Sequence, residues 1–173
     1  MLTGPPLPCQ QIYRPARFNW LFLNRIVSGR VSTTMTMKTS TFGITYLSIV
    51  IAFGILDGLW LGVVARPLYV DAFAELLRDS FITWPWLTFY LLYCLAVLML
   101  AVRPAGHRPV GAAAANGFIL GAAAYGTYNL TAYSIIAGWP LGMSIVDWVW
   151  GAFVTAVLAA VGAWTAKRKQ PVA

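Results

Sequence analysis

The chain of 173 residues is poor in the groups on which most soluble chemistry depends. It has one histidine, His107, and two cysteines, Cys9 and Cys94, too few and too scattered for a zinc site, a histidine-held haem or a disulfide framework. Its three lysines, Lys38, Lys167 and Lys169, flank the long apolar runs, so none can form a Schiff base inside one. A serine or cysteine nucleophile would lack a histidine base on the side away from His107, and no glycine-rich phosphate loop occurs. No cofactor, no metal and no catalytic set is expected, and the reading leans away from an enzyme.

Charge is scarce as well, at 10% of residues against 60% hydrophobic, which is the composition of a membrane protein. Four uncharged runs, at about 42–64, 85–102, 110–136 and 141–166, approach or exceed the roughly 20 residues a helix needs to cross a bilayer core. They are continuously apolar, whereas barrel strands alternate, so helices are expected. The connections "RPAGHRP" and "GWPLG" (residues 138–142) are short. The expected fold is therefore all-α: a polytopic membrane protein with a four-transmembrane-helix up-down-up-down bundle.

The net charge of +7 could point to nucleic acid, but its distribution points to a membrane. Arg14, Arg17, Arg25, Arg30 and Lys38 precede the first run, Arg103 and Arg108 lie between the second and third, and Lys167, Arg168 and Lys169 follow the fourth. Only Arg66 and Arg78 fall in the other connections. Both termini are expected in the cytoplasm, with no nucleic-acid partner.

Residues 1–36 differ from the rest, with Pro5, Pro6 and Pro8, four arginines and no acidic residue. Three readings compete for this basic tail: a start placed too early, a membrane-surface segment, or an arginine-rich targeting peptide. The first is favoured, with Met37 of "MKTSTFGITYL" as the natural start, because the membrane domain of residues 37–169 begins there without a linker.

After the first run, "RPLYVDAFAELLRDSFITWPW" sets Leu68, Ala72, Phe73, Leu76 and Leu77 on one helical face, as expected of a short interfacial helix. Asp71, Glu75 and Asp79 form an acidic stripe on another face, read as solvated rather than cation-binding.

Two acidic residues lie inside apolar runs: Asp57 in "FGILDGLWLGVV" and Asp147 in "SIVDWVWG". Counted from the outer ends, Asp57, Asn129 and Asp147 share one depth, about 9–11 Å below the rim. Trp60, Tyr90, Tyr125, Tyr128 and Trp150 lie within about two turns of them. These eight residues are the candidate ligand-binding or proton-carrying site. The same polar layer could instead lock the helices together, a role worth about 1 kcal/mol per contact in a membrane. The D-x-x-W shared by the first and fourth runs reads as coincidence in a chain with 8 tryptophans.

Gly54, Gly58 and Gly62 recur every four residues in the first run, and Gly117 and Gly121 do so in the third. This spacing lets helix backbones approach closely, within the chain or between copies in a homo-oligomer.

The motifs "LDGLWLGVVARPLY", "YGTYNLT" and "GWPLGMSIVDWVWG" resemble the bacterial integral membrane protein family called domain of unknown function 2177, over residues 38 to about 166. The matching positions are Asp57, Trp60, Gly62, Tyr125, Gly126, Tyr128, Thr131, Trp139, Pro140, Gly142, Asp147 and Gly151. Asn129 stands where that pattern more often has aspartate, leaving two intramembrane carboxyls in place of three. The resemblance implies a bacterial inner (plasma) membrane and brings no activity with it.

The reading that follows is a small-molecule or lipid binding module, or a proton-linked transport module, with a carboxylate and aromatic pocket in the outer leaflet. Its partners would be membrane lipids and an apolar or cationic small molecule. Two alternatives stay open: a membrane-embedded enzyme using an aspartate as acid or base on lipid, and a structural or accessory subunit.

Overall fold

A computed structural model describes residues 36–74 and 76–169, and every regular element among them is helical. The expectations for the 1–36 tail rest on residues outside that range, apart from Thr36, and Glu75 of the acidic stripe also lies outside it.

Helix α1 (Thr39–Val64) begins directly after Lys38. A short α2 (Arg66–Phe73) follows, then α3 (Thr83–Ala105), α4 (Val110–Ile135) and α5 (Leu141–Lys169). Prolines and glycines place the boundaries. Pro67 sits in the first turn of α2, and Pro109 caps α4 from an extended conformation. Gly138, at φ 79°, takes the left-handed turn that lets the chain reverse before Pro140.

Three helices, α1, α3 and α5, are long and apolar enough to cross a membrane. Helix α4 has 26 residues, about 39 Å of helix, but Asn116, Thr127, Asn129, Thr131 and Ser134 dilute its apolar character. Those groups are satisfied within the protein. Thr127 and Ser134 each donate to the carbonyl four residues back at 2.7 Å, and Thr131 donates to the Thr127 carbonyl. Asn116 donates across to the Ala101 carbonyl of α3 at 3.2 Å. Ala101 belongs to a widened π-helical stretch, Val97–Val102.

Helices α4 and α5 pack tightly, and glycine is the reason. A Cβ on Gly117 would lie 2.6 Å from the Thr155 carbonyl and 2.7 Å from the Ala159 methyl; one on Gly121 would strike the Gly151 carbonyl and the Thr155 hydroxyl. The glycine row of α1 behaves otherwise, because Gly54, Gly58 and Gly62 are exposed and face no atom within 4 Å. The buried row of α1 is Thr41, Thr45, Ile49, Phe53 and Asp57, and the glycines follow one residue later, about 100° around the helix.

The core gathers Ile49 and Phe53 of α1, Val97, Leu98 and Val102 of α3, and Val154, Leu158 and Ala159 of α5. At the end of α5, Lys167 Nζ donates to the His107 carbonyl at 3.3 Å and to the Arg108 carbonyl, tying the α3–α4 connection to the basic terminus of α5. The cavity described below lies toward the opposite end.

Helix α2 covers only the first part of the expected stretch. It ends at Phe73, before Leu76 and Leu77, and Leu68 is 48% exposed. Tyr69, Ala72 and Phe73 are the half-buried residues. Tyr69 and Phe73 stack at 5.6 Å one turn apart, and Phe73 meets Trp139 edge-on at 5.0 Å. Within the protein, aromatic contacts and the Tyr69 hydroxyl tie α2 to its neighbours.

Candidate functional site: a polar and aromatic cavity

Asp57, Asn129 and Asp147, from three different helices, all line one cavity of about 540 Å3. Its walls are largely aromatic: Tyr69 and Phe73 from α2, Trp86, Phe89, Tyr90 and Tyr93 from α3, Tyr125 and Tyr128 from α4, and Trp139. An aromatic lining with a small number of polar groups is the usual make-up of a small-molecule pocket.

The two carboxyls are held in different ways. Asp147 is fully engaged: Tyr69 donates its hydroxyl to one oxygen at 2.5 Å, and Asn129 Nδ2 donates to the other at 2.7 Å. Asn129, 2% exposed, also donates to the Tyr125 carbonyl one turn back. Asp57, 6% exposed, receives a single bond, from Trp150 Nε1 to Oδ1 at 3.2 Å. Its second oxygen has no partner among the described residues.

Burial, with the Asp147 carboxyl beside it, holds the Tyr69 phenol well above its ordinary value of 10.0, so Tyr69 is a donor throughout the physiological range.

The aromatic residues expected at this depth divide into two groups. Tyr90 stacks on Phe53 at 4.4 Å and lines the cavity. The Tyr125 ring sits over Gly151, where any Cβ would overlap it, and packs edge-on against Tyr93 at 6.0 Å. Tyr128 reaches the same cavity and meets Trp139 edge-on at 5.8 Å. Trp60 and Trp150 do not line it. They stack on each other at 4.4 Å with planes 9° apart and border a separate hollow of about 360 Å3 with Val149 and Phe153.

That stack gives the repeated D-x-x-W a role that coincidence does not describe. Trp60 lies on Trp150, and Trp150 reaches back to Asp57, so the motif on α5 holds the aspartate of the motif on α1.

Sequence pattern does not single out Tyr69, Phe73 or Tyr93 as cavity residues. Tyr69 closes the quoted motif "LDGLWLGVVARPLY", which was the available signal. Tyr93 is fixed by its hydroxyl, 2.7 Å from Thr155 Oγ1, a pairing that only the fold reveals. Among the described residues no three His, Cys, Asp or Glu side chains converge to hold a metal.

Long apolar helices around a mostly aromatic cavity with two acidic groups define an integral membrane protein of the all-helical class. The chain belongs to the family described as "Predicted membrane protein (DUF2177)", whose model matches residues 42–164. Comparison with curated proteins and with solved structures finds no match.

Proposed function

We propose that this protein is a membrane-embedded binding module for a small molecule with an apolar body and one hydrogen-bond donor, hydroxyl or ammonium, directed at Asp57. The supporting observation is the asymmetry of the carboxyls: Asp147 has both oxygens bonded, while Asp57, which lines the same cavity of about 540 Å3, receives one bond, from Trp150, and its other oxygen has no partner among the described residues. A donor on the ligand would add a hydrogen bond to that oxygen, worth about 1 kcal/mol net. In this reading Asn129, Tyr90, Tyr125 and Tyr128 shape the pocket, while Trp60 and Trp150 hold Asp57 from behind. Asp147 is a structural group that pins α2 over the cavity.

In the same proposal α4 also crosses the membrane, making α1, α3, α4 and α5 an up-down-up-down bundle, and α2 lies at the outer interface of a bacterial inner membrane. The basic ends are cytoplasmic, as the excess of lysine and arginine there favours. Impermeant maleimide should label a cysteine placed at Ser80 in intact cells, and one at Gly106 only after lysis; the reverse pattern would overturn the orientation.

The binding test uses a small aromatic alcohol, phenylethanol, and the matching amine. Each should raise the melting temperature of the wild type in detergent, with affinity at least about fivefold weaker in Asp57→Ala, the equivalent of one hydrogen bond. Equal shifts in wild type and variant would remove the basis for the reading.

A further inference from the structure

The ionisable groups around the cavity favour one sign of ligand charge. Asp57 and Asp147 line it, and among the described residues no lysine, arginine or histidine does. Apart from Asn129 and the aliphatic Leu61, Ala124 and Met143, the rest of the lining is rings. Those rings fall into two unbroken runs. Along α3, Trp86 meets Tyr90 at 4.5 Å, Tyr90 meets Phe89 edge-on at 5.6 Å, and Phe89 stacks at 5.3 Å on Tyr93, which reaches Tyr125 of α4 at 6.0 Å. The second run goes from Tyr69 to Phe73 at 5.6 Å, to Trp139 at 5.0 Å and to Tyr128 of α4 at 5.8 Å. Tyr125 and Tyr128 are three residues apart on one helix, so the two runs end side by side.

An aromatic ring presents a negative face and a carboxylate a full negative charge, so both favour a positive charge near them. An anionic ligand would meet its own sign in both. A primary ammonium brings three N–H donors, and rings are weak acceptors, whereas an alkylated ammonium spreads its charge over C–H groups that rings solvate well. Asp147 is committed to Tyr69 and Asn129, which leaves Asp57 as the carboxyl for the ligand. The attraction is one of charge, so it holds while Trp150 keeps its bond to Asp57. We infer that the cavity binds a tertiary ammonium ion with an apolar body, its one N–H directed at Asp57 and its N-alkyl groups against the rings. Trp86 and Tyr90 are the rings beside that charge, since with Asp57 they also border the adjoining hollow between α1 and α3.

This inference rests on the reading of the cavity as a binding site and adds the chemical class of its ligand. The test is isothermal titration of the full chain in phosphatidylcholine nanodiscs, with the heats of empty nanodiscs subtracted. N,N-dimethylphenethylamine is the tertiary ammonium, 3-methylbutylbenzene its neutral counterpart with carbon in place of nitrogen, and phenethylamine the primary amine. Phenylethanol is followed in parallel. Asp57→Asn keeps the shape of the side chain and still accepts from Trp150. Trp86 is 43% exposed, so Leu or Phe there leaves the core closed.

Wild type should bind the tertiary ammonium at least about tenfold more tightly than the neutral counterpart. Asp57→Asn should bring the two within about threefold of each other. Trp86→Leu should weaken the ammonium about fivefold and leave the neutral counterpart within about twofold, with Trp86→Phe in between. If ammonium and neutral counterpart bind wild type alike while phenylethanol still depends on Asp57, the cationic class is wrong and the cavity reading stands. Tighter binding of phenethylamine would overturn the alkylated head. Equal losses of both ligands in Trp86→Leu would make that ring a filler of space and overturn its part in holding the charge. If neither phenylethanol nor any amine binds, both readings fall together.

Discussion

Tyr69 and Asp147, 78 residues apart in sequence, meet hydroxyl to carboxyl at 2.5 Å. It is the one side-chain hydrogen bond among the described residues that joins α2 to a long helix, and both of its partners line the cavity.

Removing that hydroxyl should loosen α2 selectively. Tyr69→Phe is expected to cost about 1–2 kcal/mol in thermal unfolding in detergent. Amide hydrogen exchange should accelerate over Arg66–Phe73 and stay unchanged in α4 and α5. Unchanged exchange in α2 would mean that the aromatic contacts of Phe73 suffice to hold it.

The same phenol gives a signed dependence on pH. Its folded value lies above the ordinary 10.0, so its contribution is complete below pH 10. Above that, the unfolded chain has given up a proton that the folded one keeps, and stability falls as pH rises. Denaturation monitored from pH 9 to about 11 should show a shallower decline in Tyr69→Phe than in wild type, and equal slopes would contradict the shift.

Gly151 of α5 and Gly54 of α1 should respond oppositely to alanine. Gly151→Ala drives a methyl into the Tyr125 ring and should destabilise by about 1–3 kcal/mol, as overpacking does. Gly54→Ala meets nothing within 4 Å and should be neutral or stabilising by up to about 1 kcal/mol. Melting temperatures of the two variants decide the matter.

The parallel stack of Trp60 on Trp150 should give a coupled pair of bands in near-ultraviolet circular dichroism. Either Trp60→Phe or Trp150→Phe should abolish the couplet, and Trp164→Phe, far along α5, should leave it intact. A couplet surviving in both single variants would show that the indoles are not stacked in solution.

The helices were legible because uncharged runs and their prolines and glycines act locally: α3, expected near 85–102, runs Thr83–Ala105, and α5, expected near 141–166, runs Leu141–Lys169. Depth counting placed Asp57, Asn129 and Asp147 in one layer, and they line one cavity. Azimuth was less legible. Spacing identifies the row Gly54, Gly58, Gly62 but does not say which side of α1 meets a partner, and Ile49, Phe53 and Asp57 took that side. Partner choice was not legible at all. That Trp150 bonds Asp57 instead of its own neighbour Asp147, or that Tyr69 crosses to α5, depends on helix placement that no local pattern encodes.

The buried row of α1 carries a mechanical consequence. Steps of four residues drift by about 40° around a helix, so Ile49, Phe53 and Asp57 form a slanted seam, geared at one end into the core and at the other into the cavity wall. Rolling α1 to swing Asp57 outward would pull Phe53 off Tyr90, on which it stacks at 4.4 Å. The carboxyl therefore behaves as a fixed fitting in the frame, and whatever moves near it must be the side chains around it or the molecule that arrives.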